Sequence, residues 1–223
     1  MTTHSLFPLI RHISHRVSPL LIVMPVSANL VTTASLLVGL CACWYLTKGT
    51  YEDTLIGALL FLICYILDNS DGEIARAKNQ CTTFGKHYDT FVDWVVHTGF
   101  FACLGWGIAQ SAGQTTWLWL GLIAAAGGSI NYFVGLFLDF RRNAQIRDDI
   151  GLSDVPGQQT AVPQSPAQWA IFILRELSRA DFCFIVLVLA LFDQMWLLLP
   201  AAAIGAQVYW ITQFVDGVRE YHA

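Results

Sequence analysis

Six apolar blocks dominate this chain, and the second of them runs without a break into a segment crowded with carboxylates. The blocks cover residues 30–46, 55–67, 91–110, 117–138, 182–192 and 195–215. A helix that crosses a bilayer needs about 20 mostly apolar residues, within a range of about 17–25. The second and fifth blocks are too short alone. They reach membrane length only if their helices continue into the polar flanks, residues 68–78 and 169–181. Polar helix at membrane depth is tolerated where it faces protein or a water-filled cavity. The expected fold is therefore an all-α integral membrane protein of six transmembrane helices, with a cytosol-facing cavity bordered by the polar ends of the second and fifth. Composition agrees: 223 residues at 55% hydrophobic, 13% charged and a mean hydropathy of +0.53 are too apolar for an ordinary soluble domain.

Orientation follows from the basic residues, which collect on the cytoplasmic side of membrane proteins. With both termini cytoplasmic, Lys48 alone among the twelve Lys and Arg falls outside. That arrangement puts the acidic segment on the cytoplasmic face, as in a bacterial inner membrane. Trp44, Trp106, Trp117, Trp119 and Trp196 then lie near outer helix ends, where an aromatic belt is expected. Residues 5–24 mix bulky apolar side chains with Arg11, His12, His15 and Arg16, and residues 1–26 read as an amphipathic interfacial helix broken up by Pro19 and Pro25. Ser27-Ala28-Asn29 reads as an N-cap for the first span. Residues 141–168 are charged and then rich in Pro, Gln and Gly, and are expected to form a cytosolic loop. No internal repeat or second domain is visible, so residues 1–223 form one membrane domain, and no cleavable signal peptide is expected. Partitioned by a bilayer, the net charge of −4 says little about partners. No basic stripe with interleaved aromatics suggests nucleic acid. The six cysteines (41, 43, 64, 81, 103 and 183) fall mostly in apolar blocks without a zinc-like spacing, so most read as small buried hydrophobes.

The chemistry sits in D-x2-D-G-x2-A-R-x8-G-x3-D-x3-D, spelled by Asp68, Asp71, Gly72, Ala75, Arg76, Gly85, Asp89 and Asp93. An Asp at the centre of a membrane helix costs about 2.5–3.5 kcal/mol on insertion scales, so such residues mark ion or substrate sites. Positions 68, 71, 72, 75 and 76 share one helix face, and Gly85, Asp89 and Asp93 share another. If the two helices pack antiparallel, four carboxylates converge. Unpaired, they would repel one another and be driven to protonate, so the cluster calls for cations. Ligation by carboxylate oxygens alone selects hard ions, Mg2+ or Mn2+. Two such ions can clamp a pyrophosphate during an in-line displacement. Gly72 and Ala75 let a ligand approach the backbone, Arg76 can take phosphate oxygens bidentately, and Thr82 can donate its hydroxyl beside Gly85. A phosphorylated, nucleotide-bearing substrate suits this set.

The pattern resembles the signature of the CDP-alcohol phosphotransferases, matched at all eight fixed positions. Ala28-Asn29-Leu30-Val31-Thr32 is similar to the family's P-N-x-x-T at the start of its first span, with Ala in place of Pro. The resemblance implies transfer of a phosphatidyl or other phospho-alcohol group from a CDP-alcohol, commonly CDP-diacylglycerol, to a hydroxyl acceptor with release of CMP. It implies that Asp68, Asp71, Asp89 and Asp93 bind two divalent metals, with Asp93 also the general base. Gly72, Ala75, Arg76, Thr82 and Gly85 would hold the CDP moiety, with Asn29, Leu30, Val31 and Thr32 beside it. A homodimer is the family's usual assembly.

Plainer roles compete for several neighbours. Glu73 reads as an exposed charge and His87 as a solvated loop residue. His97, one turn after Asp93, either orients it or is a core histidine satisfied by a neighbour. Arg175 and Arg179, one turn apart, either anchor their helix to the cytoplasmic face or bind an anionic acceptor; Arg141 and Arg142 pose the same choice, with anchoring preferred. The acceptor is a small alcohol, and Asp-Gly-Glu-Ile-Ala-Arg leans toward members that handle inositol phosphates. A divalent-cation carrier or channel using the Asp cluster is the alternative function, but Arg76 in the same site would repel the ion.

Overall fold

The computed structural model describes residues 9–148 and 181–219, and among them every regular element is helical. Seven α-helices follow in order: α1 Leu9–Val23, α2 Ala28–Leu46, α3 Tyr51–Ala77, α4 Thr83–Ala112, α5 Thr116–Asp148, α6 Phe182–Leu191 and α7 Leu198–Arg219, with a 3-10 turn at Met195–Leu197 before the last. Four segments are long and apolar enough to cross a membrane: α2, α3, α4 and Thr116–Leu138 of α5. The described apolar helices after them, Phe182–Leu191 and Met195–Ile211, are shorter. The ten residues of α6 rise only about 15 Å, half of a hydrocarbon core of about 30 Å.

Polar side chains set the ends of these helices. Ser27, Thr50 and Thr82 are the N-caps of α2, α3 and α4, each hydroxyl accepting a bond from the backbone N–H three residues on. The second apolar block does continue into its acidic flank, and α3 ends only at Ala77. Two boundaries differ from expectation. Pro19 lies inside α1, which runs on to Val23; the missing N–H removes one bond to the preceding turn without stopping the helix. At the other end of the chain's central region, α5 continues to Asp148, eight residues into the segment expected to be loop. Arg141, Arg142, Ala144 and Gln145 are all good helix formers, so polarity there ends the apolar stretch rather than the helix.

Aromatic and glycine contacts hold the helices together away from the acidic segment. Phe61 of α3 stacks on Phe100 of α4 at 4.4 Å between ring centroids, and Phe182 of α6 meets both rings edge-on. Glycines let the backbones close in. A Cβ on Gly39 would meet the Val96 side chain at 2.6 Å, and one on Gly105 would meet the Gly121 Cα at 2.9 Å. These contacts lock α2 to α4 and α4 to α5. Helix α1 does not merely float at an interface. It buries Ile10, Ser14 and Ser18 and packs along α3. Fully buried Asp181 accepts bonds from the N–H groups of Leu9 (2.8 Å) and Ile10 (2.9 Å), placing a carboxylate on the positive end of the helix.

Candidate active site

Helices α3 and α4 bring Asp68, Asp71 and Asp89 together, with one carboxylate oxygen from each lying within 4.8 Å of the others. The short link from Ala77 to Thr83 reverses the chain tightly enough for this, with Asn79 at φ +54°, a left-handed conformation that Asn tolerates. Asp71 is the most enclosed of the three, at 5% exposed. Its carboxylate accepts a 2.5 Å bond from the Thr32 hydroxyl of α2. Neither ion pair among the described residues, His15–Glu73 and Lys48–Asp53, involves the three carboxylates. Crowded hard oxygens of this kind fit a divalent cation.

Asp93 is not one of the three carboxylates whose oxygens all lie within 4.8 Å of one another. It lies one turn beyond Asp89 on α4 and is exposed. The structure thus gathers three of the four expected carboxylates as one potential ligand set. His97 bonds the backbone carbonyl of Asp93 through Nδ1 (2.8 Å), which makes Nδ1 the protonated nitrogen. Its Nε2 then accepts from the hydroxyl of buried Tyr65 at 2.6 Å. His97 is therefore the satisfied histidine of the two roles considered, bracing the α4 backbone at Asp93 rather than its carboxylate.

Two clefts meet at this point, and Asp71, Gly72, Arg76 and Asp89 line both. The smaller, about 230 Å³, is completed by Asn29, Thr32, Ala75, Thr82 and Gly85 among others. Seven of the residues expected to contact CDP thus line one cavity. Gly85 is closely surrounded: a Cβ there would stand 3.1 Å from Thr82 Oγ1 and 3.2 Å from Asn29 Oδ1. At Gly72 the nearest atoms to such a Cβ belong to the Arg76 guanidinium, at 3.4 Å. Leu30 and Val31 line neither cleft. Leu30 is 55% exposed, and Val31 is buried in a small apolar cluster with Ala28 and Ile74. Helical periodicity explains it: Asn29 and Thr32 share a face, and the two residues between them turn away. Lys78 Nζ donates to the carbonyls of Met24 and Val26, both at 2.7 Å, and Gln80 Oε1 accepts from the Ala28 N–H at 2.9 Å. The α3–α4 link thus holds the start of α2 against the acidic face.

The larger cleft, about 460 Å³, adds Arg11 and His15 of α1 with Asn69 and Glu73 of α3. Glu73 is no free surface charge. Its carboxylate accepts from Ser14 Oγ and His15 Nδ1, both at 3.0 Å, with its side chain 14% exposed. Its partners lie 59 and 58 residues away, which is why Glu73 looks solvated in the sequence. The signal was the stripe Ile10, Ser14, Ser18, whose small polar members suit close helix packing. Arg175 and Arg179 lie outside the described residues, and the side chains of Arg141 and Arg142 do as well.

Comparison with known proteins places this geometry. The bifunctional IPC transferase and DIPP synthase of Thermococcus kodakarensis is 33% identical over 117 residues, which are 52% of this chain and 25% of that protein. Its namesake from Aquifex aeolicus is 30% identical over 115 residues, 52% of this chain and 26% of that one. The chain thus spans roughly a quarter of the length of these relatives. The crystal structure of Mycobacterium tuberculosis phosphatidylinositol phosphate synthase with CDP-DAG bound shares the fold. Its TM-score is 0.54 at 19% identity, covering 90% of this chain and 92% of that one. The profile of CDP-alcohol phosphatidyltransferases matches residues 25–152, more than half of the chain and all of the acidic motif, and the chain belongs to that family.

Proposed function

We propose that this protein transfers a phosphatidyl group from a CDP-alcohol, CDP-diacylglycerol being the best fit, to the hydroxyl of a small alcohol, releasing CMP. The convergence of Asp68, Asp71 and Asp89 beside a cleft lined by Asn29, Ala75, Thr82 and Gly85 carries this reading. Family membership and the names of the relatives support it. The acceptor oxygen forms a bond to the lipid-side phosphorus of the pyrophosphate as the bond to CMP breaks. The proton on the acceptor hydroxyl goes to a base, and Asp93, one turn past the carboxylate cluster, is the residue assigned to it.

Asp68, Asp71 and Asp89 would hold the divalent ions, Mg2+ or Mn2+, with Asp93 beside them. Bound there, two such ions would neutralise pyrophosphate charge and acidify the acceptor hydroxyl. The chain's own residues do the rest. Thr82 accepts its cap bond from Gly85 N–H and keeps its hydroxyl proton free to donate to the nucleotide. Arg76 stands on the wall common to both clefts, where a guanidinium can follow charge from substrate to leaving group. Thr32 fixes the Asp71 carboxylate. The protein would work as a six-span homodimer in a bacterial inner membrane, active site toward the cytoplasm. Arg175 and Arg179 are assigned to the acceptor side.

The test is CMP release from CDP-diacylglycerol in Mg2+ or Mn2+ across a panel of alcohols and phospho-alcohols. Metal-dependent CMP formation that falls about 10²- to 10⁴-fold in Asp93→Asn, the range of a lost general base, supports the assignment. An Asp93→Asn enzyme of near-normal turnover removes Asp93 from the chemistry. Metal uptake into liposomes without CMP formation replaces the transferase by a carrier.

A further inference from the structure

The larger cleft has a wall that the acidic motif does not supply. We propose that Arg11, with His15 beside it, is the specificity determinant that recognises a phosphate monoester on the acceptor alcohol. The inference rests on the transferase reading above and adds the residues that select the acceptor.

The argument begins with how firmly α1 is held. Asp181 ties down its first turn, Ser14 and His15 bond Glu73, and Ile10 and Ser14 are fully buried. Arg11 and His15 are one turn apart and face the same cleft. Their backbone positions are thus set by contacts on the opposite, buried face. The Glu73 carboxylate accepts a bond from His15 Nδ1, and Nε2 has no partner among the described residues.

Arg11 is the telling residue. It lines a cleft with four carboxylates, Asp68, Asp71, Glu73 and Asp89, yet forms an ion pair with none of them. A guanidinium aimed only at internal charge balance would sit on one of those carboxylates. Among the described residues Arg11 has no ion-pair partner, and its planar fork suits two phosphate oxygens. The nucleotide contacts belong to the other cleft, whose lining excludes Arg11 and His15. Membrane anchoring is served elsewhere on α1 and just past it: Leu20 is 71% exposed, Val23 88% and Met24 50%, all beyond the cleft.

The experiment uses the full chain in nanodiscs of zwitterionic lipid, repeated in nanodiscs of anionic lipid. CMP release from CDP-diacylglycerol is measured with glycerol 3-phosphate and inositol phosphate against glycerol and inositol. Thermal stability is followed in parallel with inorganic phosphate as probe. For the phospho-alcohol the wild type uses, Arg11→Ala is expected to raise KM at least about ten-fold, while kcat and the KM for CDP-diacylglycerol change less than about two-fold. Arg11→Lys should recover part of the loss, and phosphate should raise the Tm of the wild type and not of Arg11→Ala. A merely structural role would instead lower kcat and Tm together.

Four outcomes overturn the proposal. A matching rise in the KM for CDP-diacylglycerol moves Arg11 to the pyrophosphate. An effect confined to nanodiscs of anionic lipid moves it to lipid headgroups. Equal or better use of the unphosphorylated alcohols removes the phosphate monoester, and an unchanged phosphate response in Arg11→Ala removes the site. Should the wild type release no CMP with any acceptor, the transferase reading itself fails, and the phosphate-dependent Tm still decides whether Arg11 binds the anion.

Discussion

The two clefts share a wall of four residues and differ in how the rest of each is assembled. In the smaller one, Ala75, Thr82 and Gly85 lie within eleven residues of one another, and Asn29 and Thr32 are held close by Lys78 and Gln80 from the same link. The larger one depends on α1, docked through bonds that span 59 residues to Glu73 and 171 to Asp181. A cleft lined mostly by one tight helical hairpin, with the start of α2 tied to it, is nearly self-contained. A site closed by a separately docked helix can change its selectivity without disturbing the hairpin. The comparison predicts that substitutions in the shared wall damage both functions, whereas those in one cleft move one substrate.

Asp71→Asn carries the largest expected effect. Asp71 lines both clefts, is one of the three converging carboxylates and is the most buried of them. Removing its charge should lower CMP formation at least about 10³-fold, in line with the loss of a preorganised electrostatic group. Mn2+ binding followed by electron paramagnetic resonance should weaken with it. If only one substrate's KM moved and Mn2+ bound normally, the wall would not be shared in function.

Thr32→Val separates two roles for one residue. The family resemblance puts Thr32 beside the nucleotide, and it does line the smaller cleft. Its hydroxyl, however, is committed to Asp71 at 2.5 Å, with the Ala28 carbonyl at 3.2 Å. Valine keeps the shape and removes the donor. Partners that orient metal ligands typically contribute 10–100-fold in metal affinity, so the apparent metal constant should weaken by about that factor. The KM for CDP-diacylglycerol, measured at saturating metal, should move much less. The reverse pattern, with normal metal affinity and a raised nucleotide KM, would return Thr32 to the nucleotide.

The same division explains what the sequence reveals and what it hides. Apolar runs and caps locate α2 to α5 because membrane length and Ser or Thr caps act within one segment. The cap expected within Ser27-Ala28-Asn29 is Ser27, and α3 runs through its acidic end as the shortness of its apolar block requires. The i, i+3 and i+4 spacing of Asp68, Asp71 and Gly72 places them on one face, since a helix fixes that geometry alone. The roles of Glu73, His15 and Asp181 are invisible locally, because each is defined by a partner more than fifty residues away. Asp93 keeps the register of Asp89 and lies one turn farther along α4, as its i+4 spacing requires. Leu30 and Val31 show the limit of spacing, for a motif read as a string includes residues that the helix turns away from the site.

Gly85→Ala sharpens the contrast with the smallest effect, because it sets local helix preference against ligand space. Gly85 is in the first turn of α4, where alanine is intrinsically better by up to about 1 kcal/mol. The added methyl meets only Thr82 Oγ1 at 3.1 Å and Asn29 Oδ1 at 3.2 Å, so a shift of a few tenths of an ångström accommodates it. Tm should therefore hold or rise slightly. Both displaced atoms line the smaller cleft, and neither lines the larger. The KM for CDP-diacylglycerol should rise by roughly three- to ten-fold, the effect of about 1 kcal/mol in binding, with the acceptor KM unchanged. A fall in Tm would mean that the methyl strains the α3–α4 link itself. Then the two clefts could not be tuned apart, since that link also carries the wall they share.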